Sequence, residues 1–163
     1  MSDEDRIERA VLLMQKAYER QTKGELDEAI RLYRASIDEH PTAEAHTFLG
    51  WTFSFQGRYE EAIDQCKIAI RIDPNFGNPY NDIGSYLIHL GRIDQAIPWL
   101  ELAKKATRYE PRHFPYLNLY RVYLKLGELD RAQRELQQAL FIQQTLERQA
   151  GAAEDDPAPG SVN

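Results

Sequence analysis

Cysteine is nearly absent from this chain: Cys66 stands alone among 163 residues. A single thiol closes no internal disulfide and builds no zinc site, which suits a reducing compartment. Neither CxxC nor HExxH occurs, and His40, His46, His89 and His113 do not fall at metal-ligand spacing. A phosphate-binding glycine loop is also missing. Basic residues are outnumbered by acidic ones, 20 to 26, for a formal charge of -6. That balance argues against the basic stripe of a nucleic-acid-binding domain. Long apolar runs are lacking too: the first, Val11 to Met14, is four residues, far short of a membrane span. The opening Met-Ser-Asp-Glu-Asp-Arg is the reverse of a signal peptide's basic start. These absences lead us to expect a cytoplasmic protein that is not an enzyme, with no cofactor, no metal, no membrane insertion and no nucleic-acid partner.

What the chain does contain is one pattern four times over. Gly-x-apolar-acid-x-Ala appears as Gly24 to Ala29, Gly57 to Ala62, Gly91 to Ala96 and Gly127 to Ala132, with the glycines 33, 34 and 36 residues apart. Self-similarity at this period marks a stacked repeat whose single unit cannot bury its own apolar face. Apolar residues before and after each glycine recur at helical spacing, as in Ala62, Ile63, Cys66, Ala69 and Ile70. The glycine supplies the left-handed exit from the first helix. Asp27, Glu60, Asp94 and Asp130 then sit in the first turn of the second, where the helix dipole favours negative charge.

Each unit is therefore read as an antiparallel helical hairpin. The helices are expected at about 4–22, 26–39, 43–56, 60–72, 77–90, 94–108, 113–126 and 130–148. Pro79 and Pro115 fall in helix first turns, where a missing N–H costs little. Residues 150–163 hold small residues, prolines and acids with almost nothing to bury, so an acidic disordered tail is expected there.

Period, hairpin unit and spacing together resemble the tetratricopeptide repeat family. Unit two keeps Leu49-Gly50, Phe53, Ala62, Cys66 and Pro74 in register, with His46 for the leading aromatic. Unit three keeps Tyr80, Ile83-Gly84, Leu87, Ala96 and Leu100, but Arg108 stands where the family has Pro. Unit one keeps Leu13, Ala17, Ala29, Tyr33 and Pro41, and unit four Tyr116, Leu119, Tyr123, Ala132 and Leu136, with Gln144 for the closing Pro. The resemblance implies an all-α domain over 1–149, with units at about 10–42, 43–76, 77–112 and 113–146. These would be helix-turn-helix repeats stacked in a right-handed superhelical solenoid.

In that family the first helices line a concave groove that grips a peptide or helix. The groove residues implied by register are Met14, Tyr18, Thr47, Trp51, Phe55, Asn81, Ser85, His89, Leu117, Arg121 and Lys125. Trp51, Tyr18 and Phe55 would be apolar anchors. Asn81 and Ser85 would offer hydrogen bonds, and His89, Arg121 and Lys125 a basic patch. The cationic clamp with which chaperone-binding members hold a terminal carboxylate is not matched. Its places fall on Met14, Tyr18, Phe48, Asn78 and Asp82 in one register and on Thr47, Trp51, Asp82, Phe114 and Asn118 in the other. Trp99 beside Leu100 is read as packing, and Cys66 as a buried structural thiol. The implied function is a non-catalytic adaptor for a protein or peptide partner. The alternatives are homo-oligomeric assembly through Leu140 and Phe141 of the last helix and, less favoured by the charge, a helical-repeat RNA binder.

Overall fold

The computed structural model describes residues 1–154, all of them helix, turn or short connection apart from one isolated β-bridge. The helices are α1 (Asp3–Thr22), α2 (Leu26–Glu39), α3 (Ala43–Phe55), α4 (Tyr59–Ile72), α5 (Asn78–His89), α6 (Ile93–Lys105), α7 (Phe114–Lys125) and α8 (Leu129–Glu154). The fold is an all-α helical repeat. It divides into two compact units, Met1–Glu110 with α1 to α6, and a second from Pro111 onward with α7 and α8.

All four repeated glycines have positive φ, between 72° and 78°. At each, the residue after the glycine donates its backbone N–H to a carbonyl five residues back. The pairs are Glu25 to Arg20, Arg58 to Phe53, Arg92 to Leu87 and Glu128 to Tyr123, at 2.9 to 3.0 Å. This closes the helix end with a left-handed cap. The helix that follows starts without a side-chain cap in α2, α4 and α6, and an acid in its first turn meets the dipole instead.

Within the first unit the hairpins α1–α2, α3–α4 and α5–α6 pack in sequence, with α2 against α3 and α4 against α5. The first helices also approach one another, α1 to α3 and α3 to α5. The second helices make no such approach. First helices are thus crowded and second helices splayed, which puts α1, α3 and α5 on the inner, concave side of this unit. Tyr33, Leu49, Phe53, Ile83 and Leu100 are fully buried between the layers. Close approach depends on small residues. A Cβ on Gly50 would come within 2.9 Å of the Ala62 carbonyl, and one on Gly84 would overlap the fully buried Leu100 side chain. In the second unit α7 packs on α8 around Leu119, Val122, Ala132 and Ala139.

Several polar groups of the first unit's core are buried with partners. Tyr33 Oη and Thr52 Oγ1 both donate to Gln21 Oε1, at 2.8 and 3.0 Å, and Ser36 Oγ donates to the Ala10 carbonyl at 2.7 Å. Removing one partner of such a buried bond costs about 1–3 kcal/mol.

The structure departs from the expected helices in two places. The sixth helix ends at Lys105 rather than near 108. Arg108 N–H donates to Asn75 O and Gly77 N–H to Arg108 O, each at 2.9 Å, in the bridge that pairs Phe76 with Arg108. The eighth helix runs on to Glu154, past the expected end at 148 and into the segment read as tail. Residues 155–163 of that tail lie outside the described residues.

Candidate partner-binding face

Helix geometry sorts the first helices of the first unit into buried and open sides. On α1, Ala10, Ala17 and Gln21 turn inward. The positions spaced i, i+4, i+7 and i+11 from Val11 (Val11, Gln15, Tyr18 and Thr22) are all exposed. The corresponding row on α3 is Glu44, Phe48, Trp51 and Phe55, and on α5 it is Asn78, Asp82, Ser85 and His89. Every member of these two rows keeps some solvent exposure.

Aromatic rings join the first two rows. Tyr18 meets Phe48 edge-on at 5.7 Å, Phe48 lies 6.2 Å from Trp51, and Trp51 lies 5.1 Å from Phe55. Such contacts hold rings in place without hiding them. Trp51 remains 39% exposed, Tyr18 46% and Phe55 56%. Large apolar side chains exposed on the helices of this unit are concentrated on the first helices: Ile7, Val11, Leu12 and Tyr18 on α1, Trp51 and Phe55 on α3. Among the second helices, α4 exposes Ile72, α6 exposes Leu102 and α2 exposes none.

The third row is polar. His89 stacks on Tyr59 of α4, with ring centroids 5.1 Å apart and planes 10° from parallel. Asp82 retains partial solvent access and makes no hydrogen bond or ion pair among the described residues. Its surroundings push the carboxyl up to about 7 by burial. Cys66, Tyr86 and Tyr109 lie close enough to feel its charge, and burial raises the ionisation of all three above the ordinary range. They are therefore neutral neighbours. Across the three rows there is no lysine or arginine.

The residues implied by register divide accordingly. Tyr18, Trp51 and Phe55 come together, and Ser85 and His89 stand on α5 in the adjoining row. Thr47 and Asn81 are corrected: they are only 8% and 6% exposed. Thr47 Oγ1 donates back to the Ala43 carbonyl at 2.7 Å. The open positions are the next residues, Phe48 and Asp82, which the family register places only among the clamp positions. Helical phase separates neighbours by about 100°, so a slip of one residue moves a side chain from wall to core. Met14 is partly buried at the edge of the α1 row. In the second unit Leu117 is partly buried on α7, whereas Arg121 and Lys125 are exposed, with Arg121 Nη1 3.4 Å from Asn118 Oδ1. Leu140 and Phe141 are exposed on α8, Phe141 at 68%.

Residues read as structural are so placed. Cys66 is fully buried, and Trp99 is partly buried with its ring 6.3 Å from Tyr80. Among the described residues, His, Cys, Asp and Glu do not gather in a group of three able to hold a metal ion, and no helix is long and apolar enough to cross a membrane.

Comparison with known proteins agrees with this layout. The chain is similar to the small glutamine-rich tetratricopeptide repeat-containing protein 2 of Mycosarcoma maydis, 30% identical over 111 residues. That match covers 68% of this chain and 30% of the relative, so the chain spans under a third of that protein. The solved structure of pilF from Pseudomonas aeruginosa superposes with a TM-score of 0.78 at 22% identity, over 85% of this chain and 63% of that one. The second TPR of Spaghetti (RPAP3), solved bound to the HSP90 peptide SRMEEVD, gives 0.60 at 19% identity, over 64% and 96%. At these identities the likeness is one of fold. Two family models, each described as tetratricopeptide repeat, match residues 14–75 and 78–109, together more than half of the chain. That fold suggests an adaptor in protein–protein interactions. With the four glycine-capped hairpins and both model matches in one register, the chain belongs to the tetratricopeptide repeat family.

Proposed function

We propose that the protein is a non-catalytic adaptor that holds a peptide or helical segment of a partner on the concave face of α1, α3 and α5. The carrying observation is the concentration of exposed apolar side chains on α1 and α3. Apolar area left open beside polar rows is characteristic of a binding surface. Trp51, Tyr18 and Phe55 serve as anchors, with Phe48 beneath them and Ser85 and His89 as polar contacts. The absence of lysine and arginine from the three rows supports a ligand other than the acidic carboxylate of clamp-type co-adaptors. Taken by itself, the second unit offers Leu117, Arg121 and Lys125 as contact positions of its own, to be tested by substitution. The acidic charge and the cation-poor rows favour protein over RNA, and the chemistry asks for no cofactor or metal. A cytoplasmic setting suits the reduced Cys66.

The test is affinity capture followed by titration of the purified partner. A folded Trp51→Ala variant should bind about 30-fold more weakly, the loss of an anchor worth ~2 kcal/mol. Equal affinity would remove this face from the site.

A second reading rests on Leu140 and Phe141. Both are open to solvent on α8, and their burial against another copy would make self-association the function.

A further inference from the structure

The concave face of the first unit has a chemical polarity, and it limits what can lie there. Val11 and Tyr18 of the α1 row and Phe48, Trp51 and Phe55 of the α3 row form an apolar, largely aromatic stretch. Beside them, on α5, stands Asp82, a partly buried carboxylate with no hydrogen bond or ion pair among the described residues. Two other acids of this unit, Glu44 and Asp73, are already engaged. Glu44, at the head of the α3 row, pairs with Arg108 at 2.7 Å, and Asp73 pairs with the same guanidinium at 2.6 Å. Asp82 has no such partner, and its close neighbours Cys66, Tyr86 and Tyr109 are uncharged.

Resting on the groove reading above, we infer that the occupant is a cationic segment of a partner protein, with a lysine or arginine directed at Asp82 and flanking apolar side chains on Trp51, Phe55 and Tyr18. Two separate terms favour this occupant. A cation arriving at Asp82 finds a carboxylate partly stripped of water, so the new charge-assisted bond is stronger than a surface pair. The exposed rings of Trp51 and Phe55 attract a cationic side chain of the same segment, or its stacked guanidinium, through their quadrupoles. An acidic segment meets the reverse: a carboxylate repels it, and the three rows hold no lysine or arginine to receive it. The polarity is thus opposite to that of a clamp for terminal carboxylates.

The test pans a phage-displayed random dodecapeptide library on the full-length protein. The best sequences are then synthesised, and their affinities measured by fluorescence anisotropy. Enriched peptides should carry lysine or arginine next to aromatic or aliphatic residues. Asp82→Asn, nearly isosteric, should weaken them at least ~10-fold at pH 8. Replacing the peptide's lysine by norleucine should cost a similar factor with the wild type and little with Asp82→Asn. Circular dichroism and thermal melting confirm that the variant is folded. Enrichment of acidic or uncharged peptides that Trp51→Ala weakens and Asp82→Asn does not would overturn the charge assignment and leave the groove reading standing. Peptides indifferent to both substitutions, or no enrichment at all, would overturn both.

Discussion

Arg108 Nη1 pairs with Glu44 Oε1 at 2.7 Å, joining residues 64 apart in sequence. The same guanidinium binds Asp73 through Nε and Nη2 and lies over the Phe76 ring, 4.2 Å from its centroid. Its backbone N–H is committed as well, to the Asn75 carbonyl. A proline at 108, which family resemblance would place there, could supply none of these contacts.

Arg108→Ala should therefore be mild. The ion pairs are exposed and worth about 0.5–1 kcal/mol together. Arg108→Pro removes the backbone donor as well and should cost about 2–3 kcal/mol. Urea unfolding of both variants gives the comparison. Equal midpoints for the two would show that the bridge to Asn75 carries no weight.

Asp82 predicts a pH dependence of stability. Its carboxyl ionises near 7 in the folded chain and near 3.8 when unfolded. Between those values the folded state holds a proton that the unfolded state has released. Stability therefore falls as pH rises through this window and levels off above about 7. Asp82→Asn removes the burden of the charge, so the variant should be about 1–2 kcal/mol more stable than wild type at pH 8, partial solvent access screening the rest. The gain should shrink towards pH 5. Parallel profiles for the two proteins would contradict this account.

Phe141 offers a direct test of self-assembly. If α8 is the interface, sedimentation of the wild type should show mass rising with concentration, and Phe141→Asp should remain monomeric with an unchanged melting curve. A wild type that stays monomeric at high micromolar concentration would dispose of that reading.

Much of the fold was legible because its determinants are local. Gly24, Gly57, Gly91 and Gly127 each set a turn through their own backbone, and Ala62 or Ala96 could be recognised by spacing alone. The binding face was less so. Whether Thr47 or Phe48, Asn81 or Asp82, faces outward depends on how α3 and α5 roll against their neighbours, and adjacent residues on a helix carry no local mark of that choice. Arg108 was visible as a departure from the family pattern. Its reason, the bridge to Asn75, comes from a loop more than thirty residues away. The extension of α8 to Glu154 was missed because alanine and glycine near its end have little apolar area to reveal a helix.

The four glycine turns have one more property. A Cβ at Gly24, Gly57, Gly91 or Gly127 would meet nothing within 4 Å, so any cost of adding one comes from φ alone. Alanine at each position should carry the same intrinsic penalty, about 1–2 kcal/mol, whatever surrounds it. The four substitutions thus form a matched set of calibrated weights, hung at even intervals along the chain. If the molecule melts as one body, all four lower its melting curve equally. If it melts in parts, the four curves separate, and the spread reads out where cooperativity breaks.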